Sequence, residues 1–152
     1  MGVGNPFHII LYSTNAVQWT TRVWWLLFVL GFRKVSILDG GLKEWRRVGY
    51  DIETGENSYN PANFETVSDN SVFVGKKRTQ HSINTKNCII LNALTSDLHR
   101  GESSRYGRPG RIPGSINIPF HELLEKNTHK LLNPTKALAI IKEKNINRET
   151  RV

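Results

Sequence analysis

The sequence predicts an α/β fold, with short parallel strands and helices flanking them. Two observations carry this. Strand-type apolar runs, His8 to Tyr12, Val35 to Leu38 and Cys88 to Leu91, alternate with helix-type segments. Turn signals at Asp39-Gly40-Gly41 and Ile112-Pro113-Gly114 then punctuate the chain where a strand ends or begins.

The first run, His8 to Tyr12, opens into the loop Ser13 to Trp19 and then the strongly apolar segment Arg22 to Leu30. Val23, Leu26, Leu27 and Leu30 fall on one helical face, while Trp24, Trp25, Phe28 and Val29 load the others. A helix apolar all round is expected to be sandwiched in a core or covered by a neighbouring domain. Gly31 is placed to end it as a C-cap residue. Val35 to Leu38 reads as a buried strand, followed by the Asp-Gly-Gly turn, in which Asp39 organises the backbone. A short helix follows, with Trp45 expected in the core and Gly49 as its C-terminal stop.

Residues 50–84 are polar and weakly periodic, which reads as a long surface connection anchored by Tyr59, Phe64 and Phe73. Its Lys76-Lys77-Arg78 cluster is expected to be solvated. Cys88 to Leu91 suits a buried parallel strand. A Gly- and Arg-rich loop, Arg100 to Arg111, precedes the turn and short strand from Ile112 to Pro119. Phe120 to Glu125 reads as a brief helix. Pro134 to Lys144 is a clearer one, with proline early in it and Ala137, Leu138 and Ile141 on one face. At Arg151-Val152 another strand is expected to begin.

The 152 residues are 38% hydrophobic and 22% charged, which fits a globular chain and excludes a disordered one. Val23 to Leu30 is too short to span a membrane, and the N-terminus has no basic region leading an apolar one, so no signal peptide or membrane partner is expected. The net charge of +8 is scattered and lacks interleaved aromatic residues, which argues against a nucleic-acid partner. The one cysteine, Cys88, excludes an internal disulfide, suits a reducing compartment and opens a strand as a small apolar residue would. His8, His81, His99, His121 and His129 show no metal-binding spacing, so no metal and no cofactor are expected.

Three separated motifs carry a resemblance: Arg22-Val23-Trp24-Trp25-Leu26-Leu27, Val35 to Trp45 with its Leu38-Asp39-Gly40-Gly41 centre, and Gly110-Arg111-Ile112-Pro113-Gly114-Ser115-Ile116-Asn117-Ile118-Pro119. Together with Tyr59-Asn60-Pro61-Ala62-Asn63-Phe64 they resemble the two-domain rhodaneses, the thiosulfate and 3-mercaptopyruvate sulfurtransferases. The resemblance implies a rhodanese-like parallel sheet with flanking helices. It also implies an internal repeat, of which residues 1–49 are the C-terminal half of a first domain. Residues 50–84 are then the interdomain connection and 85–152 the N-terminal half of a second domain. On that frame the chain is a fragment, or two half-domains combined as one permuted domain. The cytoplasm or the mitochondrial matrix is the expected location.

Sulfur transfer in this family runs through a cysteine persulfide formed at a thiolate in a cup of backbone N–H groups. Here Ser13 occupies the corresponding place of the first domain, the loop carries no cysteine, and no catalytic residue is assigned. The family's Leu-Asp-Ala-Arg run, whose arginine contacts the anionic donor, reads Leu91-Asn92-Ala93-Leu94, which leaves the substrate-binding residues unknown. Arg100, Arg105, Arg108 and Arg111 are read as a solvated loop. The parent protein would take a small anionic sulfur donor, and this chain alone is expected to be inactive. The alternative is a catalytically silent rhodanese-like module that binds an anion or a protein.

Overall fold

The structure is a computed structural model that describes residues 2–14, 16–69 and 71–147. Asn15 of the first loop and the strand expected at Arg151-Val152 lie outside the described residues. The chain divides into two compact units, Met1–Phe73 with Lys126–Lys130, and Val74–Glu125 with Leu131–Val152.

In the first unit, strand β1 (Ile9–Leu11) pairs in parallel with β2 (Val35–Ile37), setting Ile9 against Val35 and Leu11 against Ile37. A parallel pair needs a crossover, and helix α1 (Val17–Val29) supplies it. Helix α1 is packed on one side rather than sandwiched on all of them. Thr20 and Val29 are buried, and Trp24 donates from Nε1 to the Val35 carbonyl at 3.3 Å. Val23 and Leu26, by contrast, are 46% and 47% exposed. With apolar residues on every face, periodicity could not choose the side that meets the sheet. Gly31 ends α1 at φ +86°, its N–H bonding to the Phe28 carbonyl.

The connection is stitched to this unit as far as Phe73. Asn5 clamps Glu65 from both sides, accepting from its N–H at 2.8 Å and donating to its carbonyl at 3.2 Å. The Val67 and Asp69 N–H groups bond to the Leu30 and Val29 carbonyls. Phe64 stacks on Phe32, the most buried apolar side chain of the unit, with ring centroids 5.4 Å apart. Phe73 meets Trp25 edge-on, whereas Tyr59 is 71% exposed and is a weaker anchor than expected.

After the Asp-Gly-Gly turn comes α2 (Gly41–Arg47), closed by Gly49 at φ +83°. Trp45 is not a core residue. It lies on the surface against Tyr50, 4.5 Å between centroids, and donates to the Asp51 carbonyl at 2.8 Å. An indole on a two-turn surface helix finds its partner in the next turn of chain.

The second unit opens with a helix where the sequence predicted only connection: α3 (Lys76–Ser82) carries the basic cluster, with no buried side chain. Strand β3 (Leu91–Asn92) pairs in parallel with β4 (Ile116–Asn117). The Cys88–Leu91 run is half-buried to exposed rather than buried, because the ladder with β4 reaches back only as far as the Ile90 carbonyl. Helix α4 (Ser96–Arg100) and the arginine loop link the two strands. Ile118, Pro119 and Ile146 form the buried centre. A 3₁₀ turn spans Phe120–Leu123, and α5 spans Pro134–Glu143 with Pro134 in its first turn and Asn133 as N-cap. Leu138 is exposed on α5, while Ala137 and Ile141 turn inward. Among the described residues the strands form two two-stranded sheets, one in each unit.

Candidate functional site

Two backbone features interlock at the C-terminal end of the first strand pair. The loop leaving β1 runs through Ser13 and Thr14 into α1. The turn leaving β2 presses Gly41 against it. The Leu42 N–H bonds to the Ser13 carbonyl at 3.0 Å. A Cβ on Gly41 (φ +59°) would lie 2.5 Å from that same oxygen, so only glycine fits. The Asp-Gly-Gly motif is thus a structural device that holds the Ser13 loop against the strand ends. Asp39 itself is exposed at the head of the turn.

A cavity of about 150 Å³ opens at this junction, where the N-terminus of α1 meets Ser13, Thr14 and Thr20, with Lys43 and His129 on its wall. The N-cap residue of α1, Ala16, has no side chain able to cap the helix, and the first turn holds no acidic residue. Thr20 is buried, and its hydroxyl has no hydrogen-bond partner. The groups present are hydroxyls, an ammonium, an imidazole and a helix start. They suit an anion and include no thiol.

Beside this cavity lies a carboxylate that sequence reasoning missed. Glu44 is buried on α2 and takes a bidentate grip from Arg47, at 2.7 and 2.8 Å, and the Lys130 ammonium at 2.7 Å. The Arg47 hydrogen bonds foremost, then that of Lys130, lower its carboxyl from the ordinary 4.5 to about 2. Its i,i+3 spacing to Arg47 was visible in the sequence; the distant Lys130 was not.

Elsewhere, Asn92 and Asn117 build the turn that follows β3. Asn92 Oδ1 accepts from the Leu94 N–H at 2.9 Å, and Asn117 donates to the Asn92 and Leu94 carbonyls, both at 2.9 Å. Arg100 is neutralised by a two-point contact with Glu102 at 2.6 and 2.8 Å, and Arg111 donates to the His99 carbonyl. Arg105 and Arg108 are exposed. Cys88 is half-buried just ahead of β3. Among the described residues no group of three or more His, Cys, Asp or Glu could hold a metal ion, and no helix is long and apolar enough to cross a membrane.

Comparison with known proteins matches residues 3–48, which hold the whole interlocked cup except His129, to the rhodanese-like domain family. The chain is 30% identical over 131 residues to human 3-mercaptopyruvate sulfurtransferase, covering 83% of this chain and 44% of that protein. The chain is a rhodanese homologue. Chicken thiosulfate sulfurtransferase is 25% identical, with 86% of this chain and 46% of that protein covered. The rhodanese-fold structure of SseA from Escherichia coli superposes with a TM-score of 0.84 at 27% identity, over 96% of this chain and 55% of that one. EanB in complex with ergothioneine shares the fold at 17% identity and a TM-score of 0.81. This rhodanese-like chain therefore spans about half the length of the curated relatives it matches.

Proposed function

We propose that this chain is part of a two-domain rhodanese-type sulfurtransferase whose whole form moves sulfur from thiosulfate or 3-mercaptopyruvate to a thiophilic acceptor. In this reading residues 1–49 are the later half of the first domain, 50–84 the connection and 85–152 the opening half of the second. The residues present here transfer no sulfur by themselves.

One observation supports the second statement: Ser13 lines the strand–loop–helix cup, and among the described residues no thiol does. A hydroxyl is a far weaker nucleophile towards sulfur, and an oxygen-bound sulfur atom gives no stable carrier. Cys88 offers no substitute, since it lies outside the cup loop, half-buried ahead of β3 in the other unit. The small anionic donor is the partner this reading implies, and Ser13 marks the silent counterpart of a nucleophile loop.

The test is thiocyanate formation from cyanide by the purified chain, with thiosulfate and with 3-mercaptopyruvate as donors. No turnover above the uncatalysed rate is expected. Turnover that disappears in Cys88→Ala would overturn the proposal.

A further inference from the structure

We propose that residues Lys126–Lys130 are a releasable wall of the Ser13 cup, latched by the Lys130–Glu44 ion pair, and that opening the latch admits larger molecules to the cup. This inference rests on the geometry of the cup and not on the sulfur-transfer reading.

Lys126–Lys130 belongs to the first unit, although the chain on either side of it does not. It is the tip of a loop drawn together at its neck by the Leu124–Leu131 bridge, where the Leu132 N–H also bonds to the Leu123 carbonyl at 2.9 Å. At the tip, His129 stands on the cavity wall with Ser13 and Thr14. Its backbone is left-handed, φ +57°, a conformation that a residue other than glycine holds only where its surroundings impose it. Lys126, Asn127 and His129 are exposed. The Lys130 stem runs along the turn, its Cγ 3.3 Å from where a Cβ on Gly40 would stand. The tip therefore walls the cup while burying little surface of its own, the profile of a segment that opens locally.

Glu44 makes the latch reversible in two ways. Arg47 Nη2 and Lys130 Nζ reach the same carboxylate oxygen, Oε1, at 2.8 and 2.7 Å. Two like charges are thus held side by side by the negative charge between them, and cancelling that charge turns attraction into repulsion. Arg47 also donates from Nε to Oε2 at 2.7 Å, one turn away on α2. When Lys130 leaves, Glu44 keeps this two-point partner, so no buried charge is stranded. A carboxylate with Lys130 as its single partner would resist release far more strongly. The Lys130 side chain is 37% exposed, so water and salt reach the pair from its side.

A thiol placed in the cup reads the state of the strap: Ser13→Cys with Cys88→Ala in the full chain, a change the turn tolerates because Ser13 engages it through a carbonyl oxygen. N-Ethylmaleimide and a polyethylene-glycol maleimide share one chemistry, so the ratio of their rates reports access and cancels the thiolate fraction. Lys130→Met keeps the stem and leaves Glu44 with Arg47. It should raise the bulky-to-small ratio several-fold, and Glu44→Gln should do the same. Raising the salt from about 0.05 to about 0.5 M should raise the ratio in the latched chain and leave it unchanged in Lys130→Met. Lys142→Met, on α5, should have no effect. Amide ¹⁵N relaxation at His129 should show added fast motion in Lys130→Met. An unchanged ratio in Lys130→Met, with tryptophan fluorescence showing the first unit folded, would overturn the proposal. So would a His129 amide as rigid there as in the parent. Should either charge variant fail to fold, a ratio indifferent to salt in the latched chain would overturn it equally.

Discussion

Gly41→Ala is the sharpest probe of how the cup is held. Two costs add at this position. The backbone sits at φ +59°, where a side chain is disfavoured by about 1 kcal/mol. The new methyl would also lie 2.5 Å from the Ser13 carbonyl oxygen, against 3.4 Å for ordinary contact. Loop and turn must therefore separate by about 0.9 Å, enough to break the Leu42 to Ser13 hydrogen bond. Overpacking of a backbone contact and loss of that bond together add roughly 2–4 kcal/mol, for a total of about 3–5 kcal/mol.

Gly49→Ala is the matched control. It too has a left-handed backbone, φ +83°, yet its Cβ would meet nothing within 4 Å. Only the conformational cost of about 1 kcal/mol remains there. All four tryptophans, Trp19, Trp24, Trp25 and Trp45, belong to the first unit, so their fluorescence in urea reports on it directly. With urea slopes of about 1–3 kcal/mol per M, the two midpoints should differ by on the order of 1 M, Gly41→Ala being the lower. Equal midpoints would refute the claim that the Asp-Gly-Gly turn is pressed on the Ser13 carbonyl.

Further outcomes follow from other contacts. Phe32→Ala should cost about 3–5 kcal/mol by fluorescence-monitored unfolding, since Phe32 is 4% exposed and stacked on Phe64. Asn133→Ala removes the Oδ1 acceptor of the Lys136 N–H and should lower stability by about 1 kcal/mol, with amide exchange accelerating in the first turn of α5. Glu44 has a folded-state value of about 2 against an ordinary 4.5, so its pairing stabilises fully above pH 4.5 and is lost as pH falls towards 2. Glu44→Gln should flatten that part of the acid-unfolding curve; an unchanged slope would show that the ion pairs contribute nothing there.

Local signals in the sequence located most of the elements but few of their partners. The strand runs around Ile10 and Ser36, the glycine stops at Gly31 and Gly49, and the proline-led helix at Pro134 all read correctly, because turn and cap chemistry is set by adjacent residues. What failed was choice among equivalent surfaces. The helix from Val17 to Val29 is apolar all round, so the face bearing Thr20 and Trp24 could not be picked from the face bearing Val23 and Leu26. The helical spacing of Trp45 points to the core and that of Leu138 to the face of Ala137 and Ile141, yet both side chains are exposed. The cavity was half legible. Its loop and helix start were visible, whereas the approach of His129 and the pairing of Glu44 with Lys130 depend on chain brought from far away.

The cup's architecture is carried by main-chain atoms, and this separates its shape from its chemistry. The Ser13 contribution to the interlock is its carbonyl oxygen, bonded to Leu42, so the side chain at position 13 is free to change without disturbing the turn. Ser13→Cys in a Cys88→Ala background should therefore fold as the parent does. Its thiol would face the uncapped start of α1 with Lys43 on the same wall, two influences that favour the thiolate. The pH dependence of alkylation should give an apparent value below the roughly 8.5 of an ordinary cysteine. A thiol that titrates at or above the ordinary value would mean that the cup has kept its outline and none of its electrostatic character.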